Sequence, residues 1–301
     1  MKKFLSVLMA GAMLFGVLTL AGCGDTTTDT GEDTTTTEDT TTTAEFTTVT
    51  EGVLTMSTNA AFPPYEMTDD TGAVVGIDAE IAAAIAEKLG LELQIDDMDF
   101  DGALAAPQSG KSDIVMAGVT VNEERQLVLD FSNTYANGVQ KVIVAEGSDI
   151  TMENLGEQQI GTQKGTTGNI LTTDEFGEDH VIAYDDAIAA VQALNNGQID
   201  CVVIDSAVAD NLVEANPGLT TLDTDYANEE YAIGVAKGNT ALLDAINTAL
   251  QELIDDGTVQ SIIDKYIPSD GAEADTAGAT DEAGATDEAG ATDGAEADTA
   301  A

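Results

Sequence analysis

The chain is 301 residues long and carries 56 acidic side chains against nine lysines and arginines, with one histidine, two cysteines and a formal net charge of −47. No basic stripe exists that could displace counterions, so a nucleic-acid partner is excluded. One histidine and two cysteines also make a zinc site, a Ser/Cys-His catalytic pair or a disulfide framework hard to build, and no metal or cofactor is expected.

In chain order, Lys2 and Lys3 precede an apolar run from Phe4 to Leu20 that ends in Leu20-Ala21-Gly22-Cys23. The pattern is that of a secretory signal peptide over residues 1–22. Its cysteine resembles the bacterial lipobox, which implies that Cys23 is lipidated, becomes the new N-terminus and holds the protein on the extracytoplasmic face of the cell membrane. Residues 23–50 are almost all Thr, Asp, Glu and Gly. A segment of that composition buries too little surface to order itself and reads as a solvated tether. Residues 269–301 carry ten acids, no base and a repeat starting at Gly278-Ala279-Thr280-Asp281-Glu282-Ala283. They lack any apolar residue larger than alanine and read as a disordered acidic tail.

Between the two ends, Val53 to Ser57 predicts a strand that leads into Thr58-Asn59-Ala60-Ala61-Phe62-Pro63-Pro64-Tyr65-Glu66, where two prolines forbid helix. Asp78 is expected to cap a helix with Ile81, Ala84, Ile85 and Leu89 on one face, and Gly90 to end it. Leu91 to Ile95 alternates as a strand, Phe100 to Ser109 predicts a short helix, and Asp113 to Ala117 a further strand. Repeated βα units of this kind imply an α/β chain with a mostly parallel sheet.

The strand from Asp113 breaks at Gly118 and passes through Thr120 to Asn122, a good N-cap for a short helix that carries Arg125. Arg125 is the only arginine in the chain. A planar five-donor fork beside a helix start, where orphan N–H groups gather, is suited to a carboxylate. Pairing with acids on its own helix is the plainer alternative.

Beyond this point Phe131 to Gly138 reads as a polar loop and Gln140 to Ala145 as a first crossing strand. A second α/β series follows: a strand over 159–162, the loop Gly165-Thr166-Thr167-Gly168, a helix from Asn169, a strand over 181–184, a helix over 185–195, a strand over 200–204 and a helix over 206–215. Cys201, inside an apolar strand, reads as a small buried hydrophobe. Glu229 to Ala236 is the expected return crossing, and helices over 241–256 and 259–266 finish the first half.

Phe62-Pro63-Pro64-Tyr65-Glu66, Val75-Gly76-Ile77-Asp78, Gly110-Lys111-Ser112-Asp113, Gly118-Val119-Thr120-Val121 with Arg125, and Asp130-Phe131-Ser132 with Tyr135 together resemble the polar-amino-acid substrate-binding proteins of ABC importers. The resemblance implies a two-lobed, periplasmic-binding-protein-like (type II) α/β fold with two crossover strands forming the hinge. Lobe 1 is then 51–137 plus 231–268, and lobe 2 is 138–230. It implies a monomer that clamps one L-amino acid between the lobes, delivers it to a membrane permease and performs no chemistry.

On this reading the ligand carboxylate meets Arg125, Thr120 and Thr167, although a Gly/Thr loop alone is more often a plain turn. The ammonium meets Asp205, at the end of an apolar strand, where helix N-capping is the competing role. The resemblance adds the Gly118 carbonyl and the Thr120 hydroxyl to the ammonium's shell. The ligand side chain falls to Asn59, Phe62, Phe100 and Gln163, with Tyr65 and Met98 nearby; Phe62 and Phe100 match aromatics that sandwich the side chain in the family, with a core role as the alternative. Similar binders of cationic amino acids often place an aspartate where this chain has Asn59, which favours a neutral polar ligand. Two other functions fit the same scaffold: an enzyme resembling the cyclohexadienyl dehydratases, and an extracellular sensor.

Overall fold

The computed structural model describes residues 46–223 and 225–267. The signal peptide, Cys23, nearly all of the tether and the acidic repeats lie outside the described residues. The folded body reaches back to Phe46, which packs against the main core, and to Val49, whose N–H donates to Asp113. No helix among the described residues is long and apolar enough to cross a membrane.

The first half opens with β1 (Val53–Thr58), then a small antiparallel sheet of β2 (Ala61–Phe62), β3 (Glu66–Thr68) and β4 (Val74–Val75). That sheet was not anticipated, because its strands are too short for alternation to register. Helix α1 (Ile77–Leu89) follows; its N-cap is Gly76, and Asp78 instead sits fully buried in the first turn, accepting from Gly118 N–H and Tyr135 O–H. Gly90 ends the helix in the left-handed conformation, as expected. Then come β5 (Glu92–Asp97), α2 (Phe100–Ala105), β6 (Ile114–Val115) and α3 (Glu123–Gln126). Helix α2 is shorter than its expected end at Ser109, since Pro107 follows directly.

The largest departure is β7 (Leu129–Ala145), one strand of 17 residues where a loop and a shorter strand were expected. Its polar stretch is held extended by pairing with the return strand along nearly its full length. Tertiary partners override weak local propensity here.

A 3-10 turn over Met152–Glu157 leads to β8 (Ile160–Gln163), α4 (Thr167–Phe176), β9 (Val181–Tyr184), α5 (Ala187–Asn195), β10 (Cys201–Asp205), α6 (Ser206–Ala215) and the unexpected short β11 (Leu219–Thr221). Helix α4 begins two residues before Asn169, with Thr166 as its cap. The return strand is β12 (Ala227–Ala236), and α7 (Thr240–Asp255) and α8 (Thr258–Tyr266) close the described chain.

The main sheet runs β5-β1-β6-β12-β7-β10-β8-β9, with β11 on β7. Within each half the strands are parallel, as βα units require. The antiparallel β7 and β12 join the halves: β12 pairs with β6 on one side, and β7 pairs with β10 on the other. Helices α7 and α8 pack back onto α1, so the chain's last described elements complete the half in which it began. Cys201 is fully buried, and burial pushes its thiol up to about 12, consistent with a packing role.

Candidate functional site

Between the halves lies a small cavity lined by residues of both. The end of β6 forms one wall. There Gly118 takes φ +54, and a Cβ on it would stand 2.9 Å from Cε1 of Phe62. A bare backbone is needed at this point, because β6 must turn while the Phe62 ring lies against it.

Asn122 caps α3 by accepting from Arg125 N–H at 2.8 Å, which holds Arg125 at the cavity. Arg125 is 6 % exposed. Nη1 donates to the Thr120 carbonyl at 2.7 Å, and Nη2 donates to the Gly165 carbonyl, from the other half, at 3.2 Å. Its carbon stands 5.3 Å from the centroid of the Phe100 ring. Among the described residues it has no carboxylate partner. Burial lowers its pKa, partly offset by Glu229. A buried guanidinium with no anion is costly and is balanced well by a bidentate carboxylate from outside.

The Thr120 hydroxyl lies 2.7 Å from that of Thr167 across the gap, and also donates to Glu229. The same Glu229 accepts from Gln140 Nε2 at 2.5 Å and from Tyr231 O–H at 2.9 Å. On the far side Asn59 donates to the Met98 carbonyl at 2.8 Å and accepts from Gln163 Nε2 at 2.8 Å. Tyr65 stands behind Phe62, its ring stacked at 5.9 Å.

Eight residues singled out from the sequence therefore face one space: Asn59, Phe62, Phe100, Gly118, Thr120, Arg125, Gln163 and Thr167. Asp205 is not among the lining residues. It is fully buried and caps α6, with Oδ1 accepting from the N–H groups of Ala207 and Val208 at 2.9 and 3.2 Å. Its Oδ2 has no partner and points at Gly138, where a Cβ would come within 2.6 Å. Burial, then Glu229, lifts the Asp205 carboxyl to about 7.

The lining also includes Glu66, Gln140, Thr166, Glu229 and Tyr231, which the sequence reading did not select. For Glu229 the signal was present: strand alternation puts it on the face of Tyr231 and Ile233, both buried, while Glu230 points out.

The sequence profile of the bacterial extracellular solute-binding proteins, family 3, matches residues 54–269. This chain belongs to that family. Among its members, a probable histidine-binding protein of Neisseria gonorrhoeae is 29% identical over 91% of this chain and 98% of its own length. The L-cystine-binding protein TcyJ of Escherichia coli strain K12 is 30% identical over 73% of this chain and 84% of its own. A solved structure of an ancestral arginine-binding protein bound to glutamine superposes with a TM-score of 0.70 at 39% identity, covering 73% of this chain and all of the other. The fold is accordingly the two-lobed type II arrangement, with β7 and β12 as its crossover strands.

Proposed function

We propose that this family member captures a free L-amino acid in the cavity and hands it to an ABC permease on the extracytoplasmic side of the membrane, without chemistry of its own. The observation that carries the reading is Arg125: a buried arginine, with no carboxylate partner among the described residues, lining the cavity between two halves. Relatives whose names specify histidine, cystine, arginine and glutamine binding support an amino acid as the solute.

Arg125 takes the α-carboxylate, with Thr120 and Thr167 beside it. The ammonium lies toward the Gly118 carbonyl and the Thr120 hydroxyl, compensated by the acidic cluster of Glu229 and Asp205 behind it. The ligand side chain extends between Phe62 and Phe100 toward Asn59 and Gln163. Ligand contacts drawn from residues 51–137 plus 231–268 on one side and 138–230 on the other stabilise the closed form over the open one. The protein acts as a monomer, and lipidation at Cys23 keeps it near its permease.

A thermal-shift screen against the proteinogenic L-amino acids tests this. Ligand that binds only the folded state raises the melting temperature. At least one L-amino acid is expected to do so, and the methyl ester of the same compound is not. No shift with any of them contradicts the reading.

A further inference from the structure

Glu66 and Asp78 are both fully buried, and their carboxyls lie within hydrogen-bonding reach of each other. Two carboxylates have no hydrogen to share, so this contact requires a proton on one of them. The other partners decide which. Asp78 Oδ2 accepts from Gly118 N–H at 2.9 Å and Oδ1 from Tyr135 O–H at 2.7 Å, so both of its oxygens already serve as acceptors. Neither oxygen of Glu66 accepts from any N–H or O–H among the described residues. The proton therefore sits on Glu66, which donates to an ionised Asp78 and buries no charge of its own.

Three parts of the site meet at this bond. Glu66, in β3, stands opposite Phe62 of β2; Gly118 ends β6; and Tyr135 belongs to the crossover strand β7. Phe62 and Gly118 both line the cavity, so a single hydrogen fixes two of its walls against each other and against the crossover strand. The groups facing Glu66 besides Asp78 from α1 are Asp97 from β5, Asp205 from β10 and the phenols of Tyr65 and Tyr135. The cavity adds Glu229 and one cation, Arg125, whose guanidinium is turned to the carbonyls of Thr120 and Gly165. Burial, and then Asp78, accordingly hold the Glu66 carboxyl well above the usual carboxylate range. An ionised Glu66 sets a second buried charge against Asp78 with no donor to receive it, and is driven toward water.

We propose that Glu66 is a positioning residue whose carboxyl proton, through Asp78, clamps Phe62 and Gly118 in their binding arrangement, so that the protein loses its grip on the solute when that proton leaves. This rests on the amino-acid reading above and gives Glu66 no contact with the solute. The proton passes to the buffer, the Glu66–Asp78 bond opens, and the two walls part. Affinity is full while Glu66 is protonated and is lost as pH rises through the range where it ionises.

The test joins infrared spectroscopy to calorimetry on the full chain, with the L-amino acid that raises the melting temperature most in the screen above. At about pH 8.5 Asp78 and Asp205 are ionised, so the C=O stretch of a protonated carboxyl is expected in the wild type and not in Glu66→Gln. The glutamine amide also donates to Asp78, so at about pH 7 Glu66→Gln is expected to bind within about threefold of the wild type, and Glu66→Ala about tenfold or more weakly. Between about pH 7 and about pH 10 the wild type is expected to lose about tenfold more affinity than Glu66→Gln, a comparison in which titration of the amino acid itself cancels. Should Glu66→Gln not fold, the wild type decides: its carboxyl band persists at about pH 8.5 and affinity disappears with it as pH rises. A missing band, affinity that outlasts the band, a glutamine variant no better than the alanine one, or equal pH dependence in wild type and Glu66→Gln overturns this proposal and leaves the parent reading standing. Binding of no L-amino acid at all overturns both.

Discussion

Lys164 Nζ stands 2.7 Å from Asp101 Oδ2, joining the loop after β8 in one half to helix α2 in the other. The next residue, Gly165, gives its carbonyl to Arg125 and lies so close to Asp101 that a side chain on it would overlap the carboxylate. The ion pair, the Thr120–Thr167 contact and the Asn59–Gln163 bond all cross the same gap, so they form only when the halves meet.

Because the Lys164–Asp101 pair is exposed, its contribution is small and falls with salt. Lys164→Met is expected to speed ligand release by about two- to fivefold with little change in association, and to flatten the salt dependence of release. Stopped-flow release at low and high ionic strength checks this. A slower release, or an unchanged salt dependence, would show that the pair does not hold the halves together.

Gly118 combines a φ of +54 with the 2.9 Å approach of Phe62 to its missing Cβ. Gly118→Ala is expected to cost about 1–3 kcal/mol of stability through backbone strain and displacement of the ring. It is also expected to weaken ligand binding, since Phe62 lines the cavity. Urea denaturation read together with calorimetry checks both effects, and a variant as stable as the wild type would contradict the conformation at this turn.

Burial lifts the carboxyl of Asp205 to about 7 and that of Asp78 to about 6, against about 3.9 in an unfolded chain. Between these values the folded state holds protons that the unfolded state lacks, so their stabilisation is complete below about pH 4 and is lost as pH rises through about 6 to 7. Asp130, kept low by its hydrogen bond to Lys237, acts in the opposite sense but is partly exposed and counts for less. The ligand-free melting temperature is therefore expected to drop by several degrees from pH 5 to pH 8. Asp205→Asn is expected to reduce that slope; a rise in melting temperature with pH would contradict the burial of these acids.

Much of the architecture was legible because βα units write strong local signals. The strand over 181–184 and the helix over 206–215 lie where their apolar runs and flanking turns place them. The polar first part of β7 was not legible, since its extended form depends on a partner about a hundred residues away in β12. At the site, Arg125 stood out through its uniqueness and the Asn122 cap, both local features. Glu66 did not, because a glutamate after Pro-Pro-Tyr looks like loop solvation until the fold turns it inward. Asp205 takes the helix-cap role that its strand-end position also offered, with its second oxygen aimed at Gly138.

The most direct measurement of the central claim is calorimetric titration of wild type and Arg125→Ala with the L-amino acid that gives the largest thermal shift. Micromolar binding corresponds to about −8 kcal/mol, and most of it depends on the carboxylate finding its buried fork. The account predicts that Arg125→Ala, still folded by circular dichroism, loses affinity by about a thousandfold or more. Affinity within about threefold of wild type would contradict it.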